Sequence, residues 1–439
     1  SIGGNSLKAI AVMSNLKNKG FSISVREILK YRTVEMLALH MKNNSIEQPE
    51  SAEKISRKSY KNDSLILSDA TDCGMEVEYV PTALQKFYLD NKTYVYEILE
   101  VNCDEEKLHK ILNSIVNSQS ALRSMGIRQK GWTISEQKKK KKMNFNIMNV
   151  EENDIEHSVR KLCNEYEKQL NNDMFPLTKI IILRESKMEH KLLIIAHHCV
   201  WDKSSSLIFN ELIESAVKTE NYHLENNIYS DYVKRINELE KKEIKKISDS
   251  PNEKVFKSQC LRINMSDRST VEFLTNPWKI VEKIIYTIGI SNGLVKENEI
   301  PLYIVQDDRT FFDASMAMMM GQCLDFMPVK LDCNVTGSLI KSIEQAQSKK
   351  ALHSLNFNSI FSVSPENIED IFRKTLILNF QAQYEMDEQL AKSWLINAQN
   401  TDPSTEIFIG RCKNSLLLSY PIFEKCEGDI EKELIGIFE

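Results

Sequence analysis

Apolar positions along this chain change period at short intervals. Leu7, Ile10, Met13 and Leu16 recur at helical spacing before Gly20, and Val34, Leu37, Ala38 and Met41 repeat the i, i+3, i+4, i+7 pattern. These two stretches predict a small helical unit over residues 1–43. Residues 44–74 are largely polar, lack a period through most of their length and contain Pro49, which is the composition of a linker. Beyond residue 75 strands and helices alternate: a helix near 81–91, a strand near 94–101, a helix near 105–119, and strands near 180 and 191. An amphipathic helix follows, with Leu207, Ile208, Leu212 and Val217 on one face, and a charged helical segment covers 231–248. Further apolar strands are expected at 301–305, 375–380 and 415–420. The pattern predicts a mixed α/β protein with two lobes, 75–248 and 249–439, behind the helical unit and its tether.

At 439 residues the chain exceeds one ordinary core, in keeping with several domains. Hydrophobic residues make up 42% and charged residues 27%, a globular balance, and the net charge of -5 argues against nucleic acid as a partner. Nine cysteines without a C-x-x-C pair read as free thiols in a reducing cytoplasm. No membrane span and no secretory leader is expected, and the opening at Ser1 reads as an excision from something longer. The run Lys138 to Lys142 reads as a solvated loop tip, and Met316 to Met320 as core filler.

Candidate chemistry concentrates in His197-His198-Cys199-Val200-Trp201-Asp202, which directly follows the apolar run from Lys191 to Ala196. A strand ending in two imidazoles with a carboxylate close behind can present a general base and a charged orienting group from one loop. The histidines could equally be satisfied core residues. A metal site is disfavoured, because neighbouring strand residues point to opposite faces and both rings rarely reach one ion.

A second signal is Gly3-Gly4-Asn5-Ser6-Leu7, which sets a serine at the start of a helix. Ser6 reads either as part of an N-cap or as a hydroxyl displayed where a helix terminus favours a phosphate ester. This segment resembles the G-G-x-S-L signature of peptidyl carrier proteins, whose serine bears 4′-phosphopantetheine. Residues 24–41 resemble the end of that fold, whose first helix would be missing here. His197 to Asp202 is in turn similar to the HHxxxDG signature of condensation domains in nonribosomal peptide synthetases. Weaker matches follow in order: Pro81 to Lys86 to S-x-A-Q, Ser120 to Ser124 to H-x-x-L-R-T, Tyr229 to Tyr232 to Y-x-D-Y, and Gly321 to Pro328 to G-x-F-V-N-T-x-P.

The resemblance implies two chloramphenicol-acetyltransferase-like lobes in a V-shaped pseudo-dimer, with a tunnel between them and carriers docking at opposite mouths. It implies a pantetheine arm on Ser6, installed by a phosphopantetheinyl transferase. An upstream adenylation domain and downstream adenylation and carrier domains are the partners, with aminoacyl thioesters as substrates. In the reaction so implied, an amine attacks a donor thioester to form a peptide bond. His198 acts as base, His197 is structural, and Asp202 pairs with Arg123 to brace the loop. Lys203 stands in place of the usual glycine and Asp325 in place of an asparagine, both bearing on substrate access. The rivals are an epimerisation domain, whose E-G-H signature is absent from the sequence, and a silent carrier-docking platform.

Overall fold

A computed structural model of the chain describes Ile28 and residues 33–46, 77–140, 145–150, 155–219, 228–240, 256–307, 309, 316, 318–352, 375–385, 405–423 and 429–438. Helix α1 (Val34–Ile46) is the described part of the expected helical unit and runs slightly past its expected end. Ser6, its helix and residues 47–74 of the expected linker lie outside the described residues.

The N-lobe begins with β1 (Val77–Tyr79), α2 (Ala83–Asp90), β2 (Tyr94–Asn102) and α3 (Glu105–Ser118). It continues through β3 (Ser124–Arg128), β4 (Trp132–Glu136), β5 (Asn146–Asn149), α4 (Ile155–Gln169), β6 (Met174–Pro176), β7 (Thr178–Arg184) and β8 (Glu189–His197). Helices α5 (Lys203–Thr219) and α6 (Tyr229–Glu240) complete it. The first helix starts sharply because Thr82 and Gln85 form a reciprocal capping box: Gln85 N–H donates to Thr82 Oγ1 at 3.1 Å and Thr82 N–H donates to Gln85 Oε1 at 2.9 Å.

The main N-lobe sheet has the order β2-β8-β7-β5. Alternation along β8 separates two cores. Leu192, Ile194 and Ala196 pack against Leu108, Ile111 and Leu112 of α3 and Ile208 and Phe209 of α5. Leu193 and Ile195 instead face α2, α4, α6 and the smaller sheet β1-β4-β3-β6, through Tyr88, Tyr166, Phe175 and Tyr232.

The C-lobe is built on β9 (Phe256–Asn264), β10 (Glu299–Asp307), β11 (Leu324–Asp332), β12 (Leu376–Glu385), β13 (Glu406–Cys412) and β14 (Ser415–Phe423). They form one sheet in the order β11-β10-β12-β13-β14-β9. Helices α7 (Asp267–Thr275), α8 (Pro277–Ser291), α9 (Ser338–Leu352) and α10 (Ile430–Gly436) supply Phe273, Ile284, Ile288, Leu339 and Leu434 to its core.

The lobes are not separate bodies. Met319, Cys323, Phe326 and Ile377 of the C-lobe are buried within the same cluster as Tyr88 and Tyr229, and Met320 is buried with α3 and α5. The connection between β10 and β11 therefore leaves the C-lobe sheet and packs on the N-lobe. Met319 and Met320, expected as core filler, are indeed buried there. Lys138, Lys139 and Lys140 are exposed, while the rest of that lysine run lies outside the described residues.

Candidate active site

His197 is the last residue of β8 and His198 the first beyond it, so the chain turns between the two rings. Main-chain bonds hold that turn: His197 N–H donates to Leu177 O at 2.7 Å, His198 N–H to Thr93 O at 2.9 Å, and Val200 N–H to His197 O at 3.1 Å. The two imidazoles consequently have different surroundings.

His197 is fully buried beside Phe175. Its Nδ1 accepts from Cys199 N–H at 3.3 Å, which places the proton of the neutral ring on Nε2. Burial, with a smaller contribution from His198, pushes its pKa down to about 3. A ring so placed stays neutral and cannot reach solvent.

His198 keeps some exposed surface. Its Nδ1 lies 2.6 Å from Trp201 O, a carbonyl that can only accept, so Nδ1 carries the hydrogen and Nε2 carries the free lone pair. The ring stacks on Tyr88, with centroids 4.3 Å apart and planes inclined by 25°. Burial pushes its pKa below the ordinary histidine value, while the Trp201 carbonyl and Asp202 act in the opposite direction. The arrangement gives an oriented, neutral imidazole with its basic nitrogen available.

Asp202 points elsewhere. It is buried, caps α5 by accepting from Ser205 N–H at 2.8 Å, and also accepts from Ser205 Oγ at 2.8 Å and Cys323 N–H at 2.9 Å. Its cationic partner is Arg309, whose Nη2 lies 2.7 Å from Oδ1 and 2.9 Å from Oδ2. The expected pairing with Arg123 is therefore corrected. Arg123 instead donates to the carbonyls of Gln137 and Val116, both at 3.3 Å, and of Asn117 at 3.5 Å. Those carbonyls end α3 and lead out of β4, so Arg123 braces the N-lobe from the side.

Arg309 was invisible in the sequence because its partner in the histidine loop, Asp202, lies 107 positions away. It also reaches Asp307, Met319 O and, at 3.0 Å, Gly321 O. Burial opposes its charge, but Asp202 and Asp307 more than offset this and raise its pKa.

The weaker motifs converge on the same framework. Gln85 Nε2 donates to Cys199 O at 2.7 Å and to Tyr229 Oη at 3.1 Å, tying the helix that carries Tyr88 to the histidine loop. Tyr229 Oη donates to Gln322 O at 2.6 Å. Ser120 Oγ and Ser230 N–H both donate to Glu136 Oε1, at 2.7 and 2.8 Å, joining the second and third of these motifs through one buried carboxylate. Gly321 lies so close to Tyr229 that a Cβ there would sit 2.3 Å from the ring, and its φ of +150° also favours glycine. Gln119 clamps the crossing loop, donating to Met318 O at 3.1 Å and accepting from Met320 N–H at 2.9 Å.

The two departures from the family pattern are also placed. Lys203 Nζ lies 3.7 Å from Glu97 Oε1, and Glu97 stands on the α3 and α5 side of β2, opposite the core that holds Tyr88. Asp325 is buried, and its Oδ1 accepts from Phe326 N–H at 2.8 Å. Among the described residues no group of three His, Cys, Asp or Glu is arranged to hold a metal, and no helix is long and apolar enough to cross a membrane.

Comparison with known proteins agrees with this geometry. Residues 84–249 match the family described as condensation domain. The chain is 23% identical over 243 residues to surfactin synthase subunit 2 of Bacillus subtilis, covering 55% of this chain and 6% of that protein. It is 24% identical over 265 residues to bacitracin synthase 3 of Bacillus licheniformis, covering 55% and 4%. The chain thus spans a small fraction of the length of these relatives. Among solved structures it resembles the epimerization domain from the third module of tyrocidine synthetase B, with a TM-score of 0.56, 15% identity and coverage of 83% and 98%. It also resembles a structure described as the basis of condensation domain-mediated chain release from the enacyloxin polyketide synthase, with a TM-score of 0.57, 12% identity and coverage of 99% and 96%. The two-lobed fold is the chloramphenicol-acetyltransferase-like one. Residues 84–249 thus match the condensation-domain family, and over 55% of its length the chain is similar to synthases of the kind just named.

Proposed function

We propose that this chain forms an amide bond between two carrier-borne thioesters: the amine of an acceptor aminoacyl thioester attacks the carbonyl of a donor thioester, and the donor's thiol leaves. The observation that carries this reading is the fixed tautomer of His198, with Nδ1–H on Trp201 O and Nε2 unprotonated. That nitrogen hydrogen-bonds the attacking amine and takes its proton as the C–N bond forms. The proton balances when it passes to the departing thiolate. General-base help of this kind is worth roughly 10² to 10⁴-fold.

Thioesters are activated acyl groups, so holding the two reactants in line is the larger demand. Positioning can contribute about 7 to 11 kcal/mol. His197 keeps the loop shaped from within the core, and Asp202 with Arg309 locks the loop to the crossing segment of the C-lobe. Neither contacts the reacting atoms in this scheme. Arg123 braces the N-lobe by joining the end of α3 to the segment after β4.

The remaining expectations are part of the proposal. Ser6 carries the donor on 4′-phosphopantetheine in a peptidyl carrier segment spanning residues 1–43, loaded by an upstream adenylation domain, and the acceptor arrives on a downstream carrier. Ser6 lies outside the described residues, and the chemistry assigned to His198 does not depend on it. The working compartment is the cytoplasm.

The test supplies the chain with a donor aminoacyl thioester and a loaded downstream carrier and follows the products by mass spectrometry. A dipeptidyl carrier supports condensation. Inverted donor stereochemistry without a new bond makes the chain an epimerase, and neither product makes it a docking platform.

A further inference from the structure

Strand β2 turns Val95, Leu99 and Val101 toward the core it shares with α3 and α5, and one charged residue, Glu97, interrupts that apolar row. A carboxylate on such a face carries a desolvation cost unless it is paired and hydrogen-bonded. Two side chains from the start of α5 meet it. Lys203 Nζ lies 3.7 Å from Glu97 Oε1, and Ser206 Oγ donates to the same oxygen. The ion pair is largely shielded, with 16% of the Lys203 side chain and 19% of the Glu97 side chain exposed.

Ser206 connects this pair to the histidine loop. Its Oγ accepts from Trp201 Nε1–H at 3.1 Å, and its backbone N–H donates to Asp202 O at 3.3 Å. The Trp201 indole is buried beside Phe209, with ring centroids 5.9 Å apart, while the carbonyl of the same residue lies 2.6 Å from His198 Nδ1. Trp201 is therefore held at both ends, at the ring by Ser206 and at the backbone by His198. Its carbonyl is the group that keeps the hydrogen of His198 on Nδ1 and leaves Nε2 bare. A continuous line of polar contacts thus runs from Lys203 through Glu97, Ser206 and Trp201 to His198.

Resting on the reading of His198 as the base, we infer that Glu97, held by Lys203, is a positioning residue for the reaction: it fixes the Ser206 and Trp201 pair and, through the Trp201 carbonyl, the tautomer of His198. Lys203, which stands where the family signature has glycine, serves the base from behind. Without the carboxylate the Ser206 hydroxyl turns to another acceptor, and the indole N–H loses its fixed partner. The Trp201 carbonyl is then free to swing away from Nδ1. His198 populates the tautomer with its hydrogen on Nε2, which cannot take a proton from an amine.

Nitrogen NMR of the full chain labelled at histidine, at neutral pH, reads the tautomer without any turnover; the His198 signals are assigned by their loss in His198→Ala. The wild-type ring shows a bare Nε2. Glu97→Ala moves both ring nitrogens toward averaged values, and Glu97→Gln, whose amide oxygen still accepts from Ser206, keeps most of the wild-type pattern. Ser206→Ala gives the same mixture, and adding Glu97→Ala to it changes nothing further. Lys203→Met, which leaves the carboxylate in place, shifts the signals in the same direction by less, and it serves as the test should Glu97→Ala lose its fold by circular dichroism. In turnover, Glu97→Ala lowers kcat about 2- to 10-fold, the range that one lost orienting hydrogen bond converts to, with the KM of both substrates unchanged. Unmoved His198 signals in the folded variants, or independent effects of Glu97→Ala and Ser206→Ala, overturn the inference. A wild-type chain that does not condense counts against the proposed reaction alone, because the tautomer is read separately.

Discussion

Asp202 and Arg309 are separated by 107 residues in sequence, yet Arg309 Nη2 lies 2.7 Å from Asp202 Oδ1 in the interior. Arg309 sits just beyond β10 in the C-lobe and Asp202 just before α5 in the N-lobe, so their contact joins the lobes directly behind the histidine loop. Removing one partner strands the other charge, which for a buried pair costs about 3 to 5 kcal/mol. Arg309→Ala is therefore expected to lower the denaturation midpoint far more than Arg123→Ala, which forfeits hydrogen bonds to carbonyls. Chemical denaturation of the two variants checks the order, and a larger loss for Arg123→Ala would restore the pairing expected from the sequence.

Gly321 is confined by the Tyr229 ring and by its backbone angle. Gly321→Ala forces either the loop or the ring to shift and is expected to cost at least about 2 kcal/mol. Tyr229→Phe, which keeps the ring and removes the hydroxyl's bonds to Gln322 O and Gln85 Nε2, should cost about 1 to 2 kcal/mol. Melting curves rank the two. Wild-type stability in Gly321→Ala would show that the crossing loop is not packed on α6 as described.

His197 makes stability depend on pH. Its folded pKa, near 3, lies below the ordinary value of 6.5, so the unfolded chain binds more protons throughout that interval. Stability contributed by the neutral ring is full above pH 6.5 and falls progressively as pH drops toward 3. The whole effect is on the order of 5 kcal/mol. His197→Asn should flatten the slope of unfolding free energy between pH 7 and 5 in urea titrations. An unaltered slope would assign the dependence to other groups.

Tyr88 orients the His198 ring by stacking. An aromatic contact of this kind is worth about 0.5 to 1.5 kcal/mol, so Tyr88→Leu is expected to lower kcat about 2- to 10-fold with folding retained. Steady-state kinetics with saturating acceptor measure it. An unchanged kcat would make the stack incidental.

The strand ending at His197 was legible as an unbroken apolar run, because both of its faces are buried, and the helix beginning at Lys203 by its apolar spacing; the long helices α4, α8 and α9 and the strands β9 and β11 were not singled out. The short strands of the small N-lobe sheet left no such trace. Three to five residues buried on both sides, such as Trp132 to Glu136, carry too little alternation to read. Gln85, Ser120, Tyr229 and Gly321 were visible as motif residues, but their roles were not. Each acts on a carbonyl, a ring or a carboxylate supplied from far along the chain. Arg309 had no signature of its role, since a charged residue near a strand end gains its cross-lobe meaning only when the lobes meet.

The central claim is that His198 presents an unprotonated Nε2 to the acceptor amine. Single-turnover condensation by His198→Ala, with both substrates loaded and the fold verified by circular dichroism, tests it most directly. The expected result is a fall in the rate of dipeptide formation of roughly 10² to 10⁴-fold. A variant that joins the two substrates at the wild-type rate would contradict the account.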